Sequence, residues 1–425
     1  MRKIQYAILF LGVVLLFLVM IPRNGEVEPF ANDSDAFKSE GAYKSQVELI
    51  TKKYNSTATS KRPVRDLLAQ DVMPDSEQCF VNFYAHACRF TGYIGPMSNG
   101  YMDPEIAVQM AVNAGCRVFV LDIDYLDDCI TDSDVSYFPQ LVVRDSQGKL
   151  IIRYTSNRPM CNDTARSNLR TVCDKINLYA FSDSCQQSMD PVVIVLHFLR
   201  QPPGSYKSTA VLDYYSHVAK ALSPFKNRFL TNELDGGTFY RQKQEGRLLV
   251  NKITDYNGKV LVFSNANTNG FREIPYEPSE DLDFITNLRL SYTQTKMGVT
   301  DNESGTVYGI LQAAEDYTTI PPDRTDTVVE QTKLCWTVAL SRDPSKPVSQ
   351  TVYNQITGTT GVHCVPAILF EPTENDYLFD DKTFKTYGFM PKPKELRYIK
   401  PPVITPAKPN PSTDAKGGML RQPMI

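Results

Sequence analysis

Four side chains in this sequence stand where an α/β protein places its chemistry: His86, Asp122, Asp124 and His197. His86 falls at the end of CFVNFYAHA (79–87), the two aspartates at the end of GCRVFVLDIDY (115–125), and His197 at the end of PVVIVLHF (191–198). Imidazole and carboxylate are the usual parts of a general acid/base pair or a metal centre. Asp127 and Asp128 extend the acidic cluster. The other two histidines read as structural, His217 on a helical face and His363 at the start of an apolar run. The sequence holds no GxSxG elbow, no CxxC or CxxH spacing and no glycine-rich phosphate loop. Nucleophilic, zinc and nucleotide chemistry therefore have no local support.

Those residues need elements to carry them. Between about 78 and 395, apolar runs alternate with amphipathic stretches. Strands are expected at 79–87, 117–122, 191–198, 247–253, 258–264, 284–292, 334–340 and 362–370, with a hairpin over 140–154. PVVIVLHF is a continuous apolar run, as in a strand buried on both faces. One helix has clear ends, with Asp103 as N-cap, Pro104 in the first turn and Gly115 as its stop. Further helices are expected near 164–180, 207–222 and 349–357, the last stopping at Gly358. About eight strands with intervening helices favour an α/β fold, a single (β/α)8 TIM barrel, in which chemistry sits at the carboxyl ends of the strands.

The flanks read differently. Ile4–Pro22 carries no charge and follows Arg2-Lys3, long enough at ~1.5 Å per residue to cross a ~30 Å hydrocarbon core. It is expected to be an uncleaved anchor with residues 1–3 cytoplasmic and the body on the lumenal or exterior side. Residues 23–77 read as a polar stalk with one short helix, and 399–425 as an extended proline-rich tail open to a protein partner. Sequons at Asn32, Asn55, Asn162 and Asn302 fit a lumenal body, the last three as glycosylation sites. Seven of the nine cysteines lie between 79 and 185, where one or two disulfides are expected. A formal net charge of −3 without a basic cluster excludes a nucleic-acid footprint.

Several motifs carry a resemblance. GCR followed by an apolar strand ending in Leu-Asp, the preceding strand with its histidine, and DPVVIVLHFLR resemble the X region of phosphatidylinositol-specific phospholipase C. The stretch from YNQITGTTGVHCVPAILF to GFMPKPKELRY is similar to that family's closing Y region. The likeness spans roughly 79–398, X-like over about 78–200 and Y-like over about 280–398 within a 78–398 domain. It is similar to the phospholipase-C-like proteins of large DNA viruses, which implies a virion membrane.

The family's chemistry uses two histidines and a calcium ion held by acidic side chains. The resemblance puts His86 at the first catalytic histidine, followed by Ala87 in place of a metal-binding asparagine. It keeps Asp122 but puts Val120 and His197 where metal-binding glutamates belong. Near Arg153-Tyr154-Thr155 there is no second histidine. Substrate-gripping lysines are missing from VLVFSNANTNG, and so is an arginine near Cys335-Trp336. Calcium needs about six oxygens, so Asp122 and Asp124 imply no cofactor or a weakly held Ca2+. The family's bacterial branch uses an arginine in place of calcium, so the resemblance offers Arg89 or Arg153 as a substrate-binding substitute.

The leading expectation is thus a membrane-anchored protein of impaired catalysis, a binding or structural component facing a lipid bilayer and a phospholipid headgroup. The alternative is an active phosphoric diester hydrolase on a phosphoinositide or glycerophosphodiester, with His86, Asp122 and His197 as its site. A glycosidase, which needs two facing carboxylates, ranks behind both.

Overall fold

The computed structural model describes residues 33–55, 60–94, 101–125, 137–144, 147–148, 167–230, 247–291, 300–301, 305–306, 308–343, 348–368 and 383–400. Eight of its strands run in parallel: β1 (Ala87–Arg89), β2 (Val118–Tyr125), β3 (Val192–Phe198), β4 (Val260–Ser264), β5 (Leu288–Ser291), β6 (Gly309–Ala313), β7 (Trp336–Leu340) and β8 (Ala367–Ile368). From β1 to β6 each pairs with the next in chain order, and β8 pairs with β1. Cys364, just ahead of β8, forms a parallel bridge with Val338 of β7, so the two ends of the order meet. This curled parallel sheet is consistent with a TIM-like fold, the class expected from the alternating pattern.

Side chains alternate across each strand, as the period of two requires. Ala87, Val118, Val120, Val193, Val195, Leu261, Phe263, Leu311, Trp336 and Val338 form an inner cluster. Cys88, Phe119, Leu121, Ile194, Leu196 and Val262 belong to a separate outer one. Helices cover that outer side, notably α2 (Pro104–Asn113), α3 (Asn168–Ala180), α4 (Thr209–Ala221), α5 (Pro322–Leu334) and α6 (Gln350–Thr360); α1 (Asp33–Tyr54) precedes them all. Asp103 caps α2 by accepting the Ile106 N–H, and Gly115 ends it with φ +96°, a conformation that glycine adopts without steric cost.

The N-terminal end of the barrel, its floor, is tied by the chain's own ends. Phe83–Ala85 pairs antiparallel with Phe389–Pro391. Asn82 exchanges hydrogen bonds with the Tyr398 backbone at 2.6 and 2.8 Å, and Arg397 pairs with Glu77.

Several expectations change. Residues 247–250 form a 3-10 turn rather than a strand, and Gly309–Ala313 is a strand the pattern did not announce. α6 runs through Gly358 to Gly361, whose φ of +72° makes the stop. The supposed stalk contains a 22-residue helix, and Ile50, Tyr54, Val64 and Leu67 from that stretch are buried against the body. Of the hairpin over 140–154, the first strand is Pro139–Leu141, antiparallel to β2, while residues 149–154 lie outside the described residues. Cys79, Cys88, Cys116, Cys173 and Cys185 are free thiols, so none of these five forms an expected disulfide. Among the described residues no helix is long and apolar enough to cross a membrane. Residues 4–22, the tail after 400, Asn162, Asn302 and Arg153 lie outside them, whereas Asn55 is exposed just after α1.

Candidate functional site

Strand register builds the site. In the β2–β3 pair Asp122 stands opposite His197, and the inward parity of Val118, Val120 and Val193, Val195 carries both side chains to the barrel interior at its carboxyl end, the mouth. Arg89 closes β1 on the same inward parity as Ala87. Its Nε donates to Asp122 Oδ2 at 2.8 Å, its Nη2 to Oδ1 at 3.4 Å, and its Nη1 to the Ser341 carbonyl at 3.1 Å. His197 Nδ1 bonds to Asp122 Oδ1. Burial works against charge on Asp122, yet Arg89 and then His197 outweigh it and hold the carboxyl below its ordinary range.

A second carboxylate sits one inward position further along β2. Asp124 is fully buried beneath two guanidiniums. Arg200 Nε reaches its oxygens at 2.8 and 3.0 Å, and Arg144 Nε reaches Oδ2 at 2.7 Å. Arg200 is fixed further by the Tyr125 carbonyl and by stacking over the Tyr125 ring at 4.2 Å. Together these groups line a cavity of about 660 Å³, whose opposite wall carries Arg342 paired with Asp316. Four arginines and three aspartates leave one positive charge in excess, before any proton on His197. That balance suits an anion.

His86 is not part of this group. It precedes β1, beside the start of β2, since its carbonyl accepts the Arg117 and Val118 N–H groups. At ~3.3 Å per residue that is roughly 16 Å from Asp122 along the strand. Parity also sends it outward with Cys88, where it stacks on Phe384 with ring centres 4.6 Å apart. Burial and then Lys61 hold its pKa well below the usual histidine range. The resemblance to a first catalytic histidine therefore fails in space, because the strand ends three residues later, and Arg89 takes the mouth position. His217 packs against Phe138 on α4, and His363 lies buried at the floor.

Asp122, His197, Arg89 and Asp124 thus converge. Arg144 and Arg200 were missed, since residues 56 apart in sequence meet only through the pairing of Pro139–Leu141 and β3 with β2. The arginine within LHFLR was the one available signal.

A calcium ion does not suit these donors. Both oxygens of Asp122 are engaged by Arg89 and His197, and both oxygens of Asp124 by Arg200 and Arg144. A dication seeking about six oxygens would have to displace cations already bonded there. Among the described residues no cluster of three or more His, Cys, Asp or Glu side chains is placed to hold a metal.

No family model and no curated protein matches the sequence. Among solved structures the chain is similar to S. officinalis PLC21, with TM-score 0.47 and 14% identity over 77% of this chain and 39% of that one. It is also similar to L. pealei PLC21, with TM-score 0.45 and 14% identity over 77% and 38%. A third similar structure is the calcium-dependent phosphoinositol-specific phospholipase C of Pseudomonas sp., with TM-score 0.43 and 12% identity over 75% and 98%. The chain spans about two fifths of the length of the two PLC21 chains.

Proposed function

We propose that the protein is a membrane-tethered barrel of the phospholipase-C-like phosphodiesterase kind that binds a phosphate-ester headgroup and cleaves it poorly or not at all. One observation carries the reading: Arg89, Asp122 and His197 are bonded in series at the base of a cavity with excess positive charge. A guanidinium is a planar, permanently charged donor suited to a phosphate oxygen, and it occupies the place where the resemblance expects calcium. Cleavage by an attacking hydroxyl needs one group to take a proton and another to give one. Asp122, held below the ordinary carboxylate range, stays ionised and is a poor donor. Among the described residues lining the cavity, His197 is the one imidazole.

Calorimetry with glycerophosphoinositol tests this. The full chain should bind it, and Arg200→Gln should weaken binding by about tenfold, the order expected for one charge-assisted hydrogen bond. Failure to bind any phosphate ester would remove the proposal. The second reading, hydrolysis, is favoured by the Asp122–His197 bond, which would orient an imidazole base. Turnover of phosphatidylinositol that disappears in His197→Ala would put that reading first.

A further inference from the structure

A second cavity, of about 220 Å³, lies on the outside of the barrel near the floor, between the last turns of α2 and α3. It is lined by Lys61, Asn113, Tyr179, Ser184, Cys185 and Gln187, among others. Six of the seven described cysteines are buried, and Cys185 is the partly exposed one. Its sulfur accepts a hydrogen bond from Arg117 Nη2 at 2.8 Å, while Nη1 of the same side chain donates to the Ala180 carbonyl. Arg117 is fully buried, and no carboxylate of a described residue forms an ion pair with it. A guanidinium held in that position aims an N–H donor at whatever accepts from it. Here that acceptor is sulfur.

Gln187 lines the same cavity. Gln187 is 1% exposed; its Nε2 donates to the Arg62 carbonyl, but its Oε1 has no hydrogen-bond partner among the described residues. A buried acceptor left in that state calls for a donor. Lys61 adds positive charge to the wall, with its ammonium anchored on the Phe384 and Lys385 carbonyls. A sulfur beside a guanidinium, an amide acceptor and an ammonium match a small peptide disulfide, which offers a sulfur electrophile, amide N–H donors and carboxylates.

We propose that Cys185 is a modification site for low-molecular-weight peptide disulfides, with Arg117 supporting the attacking sulfur and Gln187 and Lys61 holding the peptide. Cys185 gives its proton to solvent and its sulfur attacks one sulfur of the disulfide. The new S–S bond forms as the old one breaks, and the departing half leaves as a thiolate that takes up a proton. The reaction needs no other oxidant. It does not depend on the headgroup cavity at the mouth.

The test uses the full chain with oxidised glutathione and, separately, with hydroxyethyl disulfide, which has neither amide nor carboxylate. Mass spectrometry should find the first adduct of both on Cys185. Gln187→Leu should slow addition of glutathione by about fivefold, the loss of one hydrogen bond, and leave the small disulfide unaffected. Lys61→Gln reports independently and should show the same selective slowing. Arg117→Lys should slow both reagents, since it removes the fork aimed at sulfur. First adducts on other cysteines, or an unchanged ratio of the two rates in both Gln187→Leu and Lys61→Gln, would overturn the proposal.

Discussion

The two ends of the barrel hold polar clusters of opposite design. At the mouth, each buried carboxylate is matched by a cation: Asp122 by Arg89, and Asp124 by Arg144 and Arg200. At the floor two bases meet with no carboxylate of a described residue bonded to either. The Thr337 N–H donates to His363 Nδ1, so that ring carries its proton on Nε2. Nε2 faces the Val81 carbonyl at 2.8 Å and Lys392 Nζ at 2.7 Å. Lys392 Nζ also donates to the Thr332 carbonyl. Burial and then Lys333 hold Lys392 far below the usual lysine range; burial and then Lys392 do the same to His363. One end keeps its charges by pairing them. At the other, burial disfavours the charged forms of Lys392 and His363, and the two clusters should respond differently to mutation and to pH.

The largest expected effect separates them directly. Arg89→Met leaves Asp122 buried beside His197 alone and should cost ~3–5 kcal/mol, the range for breaking a buried pair. Lys392→Met puts an apolar group of similar length where burial disfavours the lysine's charge, and should cost ~1 kcal/mol, one hydrogen bond. Urea unfolding measures both, and equal costs would erase the distinction.

Asp190 sharpens the comparison, being a buried carboxylate that accepts the Val64 N–H but forms no ion pair among the described residues. Burial raises its pKa from 3.8 to about 6, with Arg117 opposing. A raised folded pKa means stability present at low pH and lost as pH rises through about 6. Asp190→Asn should therefore gain up to ~3 kcal/mol at pH ~8, at ~1.4 kcal/mol for each of roughly two pH units, and nothing below pH ~4. Thermal melts at the two pH values decide it.

The smallest effects are slopes. Lys392 is depressed in the folded state, so the unfolded chain binds the extra proton and stability should rise with pH between the depressed folded value and 10.5. Lys392→Met should lack that contribution. Asp122 acts at the other extreme, its contribution present above pH ~4 and lost as pH falls through its lower folded value. Unfolding midpoints across pH in wild type, Lys392→Met and Arg89→Met assign each slope to its end of the barrel.

Sequence made the strands legible where they are long and continuous. VFVLDIDY and VVIVLHF announce both the buried strands and the acids and histidine at their ends, and Asp122 and His197 lie where those runs stop. Short strands carried less. β6 is five residues that open on glycine, with no alternation to mark it, and β1 is three residues whose inward parity depends on pairing with β2. Placing the end of that first strand at Ala87 instead of Arg89 exchanges a histidine for an arginine at the mouth. Parity, which no local pattern in FYAHACR fixes, also turns His86 outward. Arg144 and Arg200 were invisible for a different reason, because long-range register alone brings them onto Asp124.

α1 has a consequence for how a body tethered as proposed would stand. Tyr43 bonds to Asp103, the cap at the mouth end of α2, while Asn55 meets Asn113 at the floor end. The two helices therefore descend together, and the start of α1 lies roughly 15 Å beyond Tyr43 at ~1.5 Å per residue, on the mouth side. Tyr398 leaves the body at the opposite end, beside Asn82. In a chain held by residues 4–22, residues 23–32 give a reach of at most ~36 Å. Under the proposed tether, the start of α1 on the mouth side would turn the cavity toward the lipid surface and Tyr398 toward the aqueous side.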